Sequence, residues 1–432
     1  MLDIRLLRSE PDFVKDRLRS RGADTAAVDK VLDVDTRWRA TKAEAEQLQA
    51  KLNAESKTTG QRIGQLMKDG KKDEADAVRL ELRDLGDRVA ALEEGARALE
   101  SERDDLLFYI PNLPHETTQS GGEDDFQIIR EAGEKPRFDF APKAHWDLCA
   151  DLGIIDFVRG AKITGSGFVL YKGVGARLER GLIAFMVDLH IAKHGYTEWS
   201  TPFLLSRESM RGSCHLAKFT PEMYHDAEDD LFALPTAEPA LINIHRGEIL
   251  DGRDLPLKYV AYSPCWRREA GAAGKDTRGL LRVHQFDKVE MVKFTHPETS
   301  YNEMESLLTD ATDVLDALGL PYRIKLLASG DISFSAAKCY DVEIYAPGAD
   351  MWLEVSSCSN CEDFQARQAD IRFRREPGAK PEFTHILNCS GLALPRLLAT
   401  LLEHYQQADG SIILPEALRP YLAGNTVISK AG

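Results

Sequence analysis

The chain of 432 residues lacks any long apolar run. Its longest uninterrupted apolar stretch, Leu182 to Val187, spans six residues, whereas a membrane helix needs about 20. The first five residues interleave charged and apolar side chains, unlike a secretory signal. With 43% hydrophobic residues the chain can still bury a sizeable core. We therefore expect a folded, soluble protein of the cytoplasm that has no membrane partner.

An excess of positive charge is also missing, because 55 Lys and Arg residues face 70 Asp and Glu residues and leave a net charge of −15. This balance argues against a protein that coats nucleic acid without specificity. A local basic patch remains compatible with it, because salt screens a charge beyond about 8–10 Å.

Cysteine is sparse, and of the seven cysteines only Cys358 and Cys361 have a spacing typical of a metal site. A structural zinc ion usually takes four ligands, and no second pair lies nearby in the sequence. Zinc binding stays open as an alternative to buried, reduced thiols, which we favour. A Walker-type phosphate loop is absent too, because Gly271 to Asp276 has neither its spacing nor the hydroxyl residue after Lys275.

Proline is absent between Pro11 and Pro111, and this quarter of the chain carries two apolar series with the 3-4 spacing of long helices. The first series is Val31, Val34, Trp38, Thr41, Ala45, Leu48 and Leu52, and the second is Ala75, Val78, Leu82, Leu85, Val89, Leu92, Ala96, Leu99, Arg103 and Leu106. We predict an antiparallel helical hairpin in an arm domain of residues 1–110, with a coiled coil over about 28–108. About twenty residues are expected to join the two helices.

The tip of this arm, residues 57–72, carries five basic residues against one acidic residue. The basic residues are Lys57, Arg62, Lys68, Lys71 and Lys72. For an arbitrary coiled coil a solvated turn is the favoured explanation of such a cluster. A contact with a phosphate backbone is the functional alternative, and the arm alone does not decide between them.

Residues 111–137 are rich in turn-forming and acidic residues and are interpreted as a linker. From residue 138 to 432 amphipathic helices alternate with short β-type runs, among them Leu280 to Phe294 and Tyr340 to Tyr345. Adjacent hairpins rather than regular βαβ units favour an α+β domain with an antiparallel sheet.

The segment from Pro264 to Glu290 reads as a strand, a Gly-rich loop over 272–279 and a return strand. Alternation places Arg267 and Glu269 on one face of the first strand. On the return strand it groups Arg282, His284, Phe286 and Glu290. A guanidinium fork suits a phosphate or carboxylate, and a ring beside a guanidinium suits a base. A surface hairpin with an ion pair remains the alternative.

The segments Trp266 to Gly271, Asp276 to Leu280 and Val283 to Glu290 resemble the second signature motif of bacterial seryl-tRNA synthetases, which are class II aminoacyl-tRNA synthetases. Further segments that resemble the family are Met1 to Arg5, Leu170 to Gly173, Ala176 to Arg180, Pro202, Thr236 to Glu238, Ser333 to Lys338, Ser356 to Asn360, Asn388 to Arg396 and Pro415 to Tyr421. The resemblance covers almost the whole chain. It implies a class II antiparallel catalytic sheet flanked by helices and an amino-terminal coiled-coil arm.

The resemblance also implies roles for individual residues. Arg267, Glu269 and Arg396 are the catalytic positions. The expected ATP-binding residues are Arg267, Arg268, Glu269, Val283, Phe286, Glu354, Val355, Ser356, Ser357 and Arg396, with Glu354 and Ser357 holding Mg²⁺. The expected serine-binding residues are Thr236, Ala237, Glu238, Arg267, Glu290 and Ser390, with Thr236 and Glu238 at the amino group and Glu290 and Ser390 at the hydroxyl.

The implied function is activation of L-serine with ATP to seryl-adenylate and pyrophosphate, followed by transfer to the 3′-terminal adenosine of tRNA(Ser) and also of tRNA(Sec). The resemblance implies a homodimer in which the arm tip binds tRNA held mainly by the other subunit. Two departures, Cys389 and Pro239 to Ile242, keep open a paralogue that activates serine or an analogue for resistance or biosynthesis. A coiled-coil interaction protein with an inactive synthetase body is a further alternative.

Overall fold

The computed structural model describes residues 1–269 and 278–430. Most of the predicted Gly-rich loop at 272–279, with the segment 271–276, therefore lies outside the described residues. The described part of the chain contains no helix long and apolar enough to cross a bilayer.

The chain forms two compact units. The first comprises residues 2–19 and 23–110, and the second comprises Met1, residues 20–22 and the chain from residue 111 onward. The first unit contains four helices. They are α1 (Ile4–Ser9), α2 (Pro11–Ser20), α3 (Ala26–Lys68) and α4 (Lys72–Phe108).

Helices α3 and α4 pack against each other along the two predicted apolar series, in which Val31, Ala45, Ala75 and Val89 are buried. The expected connection of about twenty residues is wrong: the helices are joined by residues 69–71 alone. Partly buried Thr59, Ile63 and Leu66 continue the seam of α3, and no proline interrupts it. Gly70, with a φ of +75°, then makes the turn.

The second unit is built on an eight-stranded sheet. Its strands in chain order are β1 (Gln127–Ala132), β2 (Thr197–Glu198), β3 (Leu257–Trp266), β4 (Gln285–Thr295), β5 (Tyr322–Leu326), β6 (Lys338–Ala346), β7 (Met351–Asn360) and β8 (His385–Ala393). Across the sheet the order is β1-β5-β6-β7-β8-β4-β3-β2. Every pair is antiparallel except β2 with β3. The α+β class and the long helical arm are thus confirmed.

The remaining elements surround this sheet or cap its ends. The α-helices are α5 (His145–Leu152), α6 (Phe157–Thr164), α7 (Val174–His194), α8 (Arg207–Gly212), α9 (Glu238–Asn243), α10 (Ser300–Leu318), α11 (Phe364–Ala369) and α12 (Leu394–Tyr405). Short strands lie at Leu204–Ser206, His225–Asp226, Leu231–Ala233, Ile249–Asp251, Arg372–Arg374, Glu382–Phe383, Ile412–Ile413 and Val427–Ile428. Short 3₁₀ helices lie at His215–Ala217, Thr220–Glu222, Gly252–Asp254, Pro297–Thr299 and Glu416–Leu422.

The segment 111–137, interpreted as a linker, contributes the edge strand β1 to the sheet. Gln127 pairs with Leu326 and Ala132 with Tyr322. The composition of the segment hides this strand because five of its six residues are exposed, so no apolar alternation marks them.

The core lies on both faces of the sheet because successive strand residues point to opposite sides. On β4, Val289 and Met291 pack with α7, α10 and α12, whereas Val292 and Phe294 pack with α9 and α11. Phe286, Lys288 and Glu290 share the second face by the same alternation. That face carries the polar site described next.

Candidate active site

The hairpin of β3 and β4 sets the first part of the site. Cys265 pairs with Phe286 and Ala261 with Glu290. The predicted strand from Leu280 is wrong in its start, because β4 begins at Gln285, and Arg282 and His284 precede it. Arg267 and Glu269 likewise follow the end of β3 at Trp266. Glu269 turns the chain with a φ of +49°.

Arg267, Glu269 and Phe286 nevertheless line one cavity. The Arg267 guanidinium lies 5.3 Å from the centre of the Phe286 ring, and its Nε donates to the Pro235 carbonyl at 3.2 Å. Glu269 pairs with Arg282 Nη1 at 2.9 Å. The cavity therefore keeps a cation, a ring and a carboxylate together.

Arg396 closes this cavity from the first turn of α12. Its Nη1 donates to the Glu354 carbonyl at 2.8 Å and its Nε to the Leu281 carbonyl at 3.3 Å. Val283, Val355 and Ser356 also line the cavity. Arg396 and Phe286 thus lie on the walls of one space, as an adenine site requires.

Three predicted residues are placed differently. Arg268 does not line this cavity: its Nε donates to the Met223 carbonyl at 3.0 Å and its guanidinium lies 4.6 Å from the Tyr224 ring centre. Ala237 is fully buried behind the site. Ser357 lines the neighbouring cavities instead of this one.

A second cavity holds the residues predicted to bind serine. Its lining includes Thr236, Glu238, Arg267, Glu290 and Ser390. Arg267, Glu354 and Ser390 line the first cavity as well, so the two spaces are contiguous. Arg267 thus stands where the two cavities meet.

Glu290 is the most buried acid of this cavity, with 3% of its side chain exposed. Its Oε2 accepts a hydrogen bond from Thr236 Oγ1 at 3.1 Å and lies 2.5 Å from Lys288 Nζ. Burial raises the pKa of Glu290, while Lys288 acts in the opposite direction.

Lys288 is a site residue that the sequence analysis missed. It lines both cavities and is 5% exposed. The signal was present, because positions 286, 288 and 290 alternate on one face of β4.

Glu238 forms a second anionic group at the start of α9. Its Oε1 accepts from Gln365 Nε2 at 2.7 Å and from Asn388 Nδ2 at 3.2 Å. Burial raises the pKa of Glu238, against the hydrogen bond from Gln365 and the positive charges of Lys288 and Arg267. Its Oε2 lies 3.7 Å from His215 Nε2.

Hard oxygens, the ligand type that Mg²⁺ prefers, lie at one edge of these cavities. Glu354 and Ser357 line the second cavity together, and Asp341 pairs with Ser357 across β6 and β7. Burial and then the Glu354 carboxylate hold the pKa of Asp341 well above its usual range. A divalent cation would relieve this repulsion. Within 1–269 and 278–430 no three His, Cys, Asp or Glu side chains converge in a way that could hold a metal ion.

The five basic residues of the arm tip are all exposed. Lys71 pairs with Glu74 at 3.1 Å. Among the described residues, no ion pair engages Lys57, Arg62, Lys68 or Lys72. Their charge therefore faces solvent.

Comparisons with known proteins define the class first. Residues 219–405 match the tRNA synthetase class II core domain (G, H, P, S and T), and residues 1–114 match the seryl-tRNA synthetase N-terminal domain. The chain therefore has the two parts of a class II aminoacyl-tRNA synthetase.

Relatives specify the family. The chain is 51% identical over 431 residues to the serine–tRNA ligase of Roseiflexus sp. (strain RS-1) and 50% identical over 429 residues to that of Geobacillus kaustophilus. These alignments cover 100% and 99% of this chain and all of each relative. The crystal structure of seryl-tRNA synthetase from Pyrococcus horikoshii complexed with ATP matches over 100% of both chains, at 36% identity and a TM-score of 0.92.

The chain belongs to the seryl-tRNA synthetase family. Its activity is that of an ATP-dependent serine–tRNA ligase. The specialised paralogue and the inactive interaction protein are not favoured by these full-length matches.

Proposed function

We propose that the first cavity holds the adenylate part of ATP and the second holds L-serine, with Arg267 bridging the α-phosphate and the serine carboxylate. The observation that carries this proposal is the position of Arg267, which lines both cavities. Adenine lies between Phe286 and Arg396, and Glu269 accepts from its exocyclic amine. To do so Glu269 exchanges its ion pair with Arg282 for the base.

In the first step the serine carboxylate attacks the α-phosphorus in line and pyrophosphate leaves. In the second, the 3′-terminal ribose hydroxyl of the tRNA attacks the carbonyl carbon of the adenylate and AMP leaves. Neither step needs a protein nucleophile, so positioning and charge neutralisation supply the catalysis. Arginine suits this work because its guanidinium is permanently charged and binds two oxygens at once.

Selection of serine rests on Glu290. Its Oε2 is occupied by Thr236 and Lys288, which leaves Oε1 to accept the serine hydroxyl beside Ser390. Alanine leaves that buried acceptor unpaired, a penalty that reaches about 10⁴-fold in sites of this kind.

Glu354 and Ser357 are proposed to hold Mg²⁺, completed by oxygens of ATP. The ion neutralises phosphate charge when bound. The repulsion between Asp341 and Glu354 supports a cation at this edge of the site.

The arm is proposed to bind tRNA(Ser), and also tRNA(Sec), within a homodimer in which the tip at 57–72 contacts RNA held by the partner subunit. We also propose that the arm comprises residues 1–110 and the catalytic domain residues 138–432. The protein is proposed to act in the cytoplasm. Five exposed basic side chains at the tip of a chain with net charge −15, of which Lys71 alone has an ion pair among the described residues, support the RNA contact.

Replacing Lys57, Arg62, Lys71 and Lys72 together by Ala tests this division of labour. Loss of four phosphate contacts should raise the KM for tRNA by about tenfold or more. ATP–pyrophosphate exchange with serine should stay within about twofold of the parent, because the cavities do not include the tip.

The matched control removes the same charge from the other unit, at Lys143, Arg159, Arg207 and Arg253, which are exposed and paired with nearby acids. It should leave the KM for tRNA nearly unchanged. An equal loss of exchange and charging in the tip variant would contradict the proposal.

A further inference from the structure

One buried histidine of the second cavity has no part in the function proposed above. His215 follows α8, where Cys214 adopts a left-handed backbone with a φ of +67°. The His215 residue is 8% exposed, and its ring lines the cavity with Thr236, Glu238 and Glu290. Its contacts define which ring nitrogen carries the proton.

The Nδ1 side of the ring faces acceptors. Nδ1 lies 3.0 Å from Ser213 Oγ and 3.3 Å from the Ser213 carbonyl oxygen. The Ser213 hydroxyl has its own acceptors, the carbonyls of Ser209 at 3.2 Å and Met210 at 3.3 Å. A carbonyl oxygen only accepts, so this arrangement places the proton on Nδ1.

The Nε2 side then presents a lone pair to the cavity. It lies 3.7 Å from Glu238 Oε2, which is also an acceptor. Protonation of Nε2 would make this an ion pair, but burial, aided by Arg267 and Lys288, lowers the pKa of His215 to about 4. The hydrogen bond to the Ser213 backbone and the charge of Glu290, which also faces the ring, raise the pKa but do not outweigh burial. The imidazole is therefore neutral near pH 7.

Two acceptors 3.7 Å apart are closer than two hydrogen-bond lengths of about 2.9 Å, so one donor atom can reach both. Gln365 holds this geometry, because its Nε2 donates to Glu238 Oε1 at 2.7 Å and to the Ser213 carbonyl at 3.2 Å. The chain thus offers a prepared pocket for a group with several N–H donors.

We propose that His215 Nε2 accepts a hydrogen bond from the ammonium group of the bound serine, beside Glu238 and Thr236. This inference rests on the proposed placement of the serine amino group at Glu238. His215 is then a residue that recognises the α-amino group, and a substrate without that group gains nothing from it.

Two non-reactive ligands test this role in the full-length protein. They are the sulfamoyl analogue of seryl-adenylate and its desamino counterpart, which carries a 3-hydroxypropanoyl group. Calorimetry gives the dissociation constant of each ligand. The constant of the desamino ligand divided by that of the seryl ligand is here called the amino-group ratio. His215→Leu should lower this ratio about tenfold, the usual effect of a hydrogen bond to a charged group. His215→Gln restores an acceptor and should keep most of it.

His225→Leu serves as the matched control, because His225 pairs with Asp230 at 2.8 Å and does not line the cavity. Its amino-group ratio should equal that of the parent. Equal weakening of both ligands in His215→Leu would overturn the proposal.

The variant Glu238→Gln distinguishes the proposed placement of the amino group at Glu238 from the proposed role of His215. If Glu238→Gln lowers the ratio while His215→Leu does not, the amino group is placed as proposed and the role of His215 is wrong. If neither variant changes the ratio, the placement at Glu238 fails as well. ¹⁵N NMR of the histidine-labelled parent with the seryl ligand gives an independent readout. A protonated Nδ1 and an unprotonated Nε2 are expected, and a protonated Nε2 would contradict the inference.

Discussion

At the scale of single residues, Lys288 provides a cationic partner for the buried carboxylate of Glu290, the proposed acceptor for the serine hydroxyl. A buried carboxylate without a partner takes up a proton, because burial raises its pKa. The Lys288 ammonium 2.5 Å from Glu290 opposes this and fixes the carboxylate in place. Lys288 therefore lowers the pKa of Glu290 against the effect of burial, which favours the charged carboxylate as the acceptor proposed for the serine hydroxyl.

Lys288→Met should lower kcat/KM for serine in ATP–pyrophosphate exchange by about 10²-fold or more, since breaking one side of a buried charge pair costs about 2–5 kcal/mol. Lys143→Met removes an exposed lysine that pairs with Asp151 at 2.6 Å and should have no measurable effect. Parent-like exchange in Lys288→Met would show that Glu290 needs no cationic partner.

Cys389 departs from the residue usual in the family, but the departure alone does not show which way the side chain points. It is fully buried, its Sγ lies 3.3 Å from Ser356 Oγ, and it packs in the core on the face opposite Ser390. Alternation along β8 therefore keeps this thiol out of the second cavity. The side chain at position 389 is thus not expected to alter the selection of serine.

At the scale of elements, the base of the helical arm depends on one buried carboxylate. Asp35 of α3 is fully buried and accepts from Arg8 of α1 at 2.6 and 2.7 Å and from Arg39 at 3.1 Å. Arg103 of α4 lies 3.6 Å away. Burial alone would raise the pKa of Asp35, but these guanidinium groups, Arg8 foremost, hold it below the usual value.

A depressed pKa stabilises the fold above the ordinary Asp range of about 4, and this contribution is lost as the pH falls through the folded-state pKa. Asp35→Asn should lower the free energy of unfolding by on the order of 2 kcal/mol at neutral pH. This is less than for a wholly buried pair, because Arg8 and Arg39 are partly exposed.

Urea unfolding followed by circular dichroism measures this change. The difference between Asp35→Asn and the parent should shrink on acidification. Asp16→Asn, at an exposed pair with Arg19, is the control and should stay within about 0.5 kcal/mol of the parent. A difference that does not depend on pH would contradict the assigned role of the Asp35 charge.

Elements with a strong period were predictable from sequence, and irregular buried segments were not. The amphipathic period of the sequence over Ser300 to Leu318 predicts a helix, and α10 has the same limits. The prediction that a strand begins at Leu280 was wrong, because Leu280, Leu281 and Val283 are buried in a segment that is not paired as a strand. Local apolar spacing does not distinguish a paired strand from a packed loop.

At the scale of the whole molecule, the division into a helical arm and a sheet-based unit follows from sequence period alone, whereas the site does not. Arg267, Glu290 and Ser390 come from separate segments, and the neighbouring strands β3, β4 and β8 bring them together. Thr236 joins them from the loop before α9. Family resemblance supplied that grouping in advance. It did not supply the orientation of Arg268, which depends on the carbonyl of Met223.

The most direct test is a crystal structure of the full chain with the sulfamoyl analogue of seryl-adenylate. The account predicts the serine hydroxyl within hydrogen-bond distance of Glu290 Oε1, the adenine ring between Phe286 and Arg396, and Arg267 in contact with the sulfamoyl group. A hydroxyl directed away from Glu290, or an adenine ring outside that pair, would contradict it.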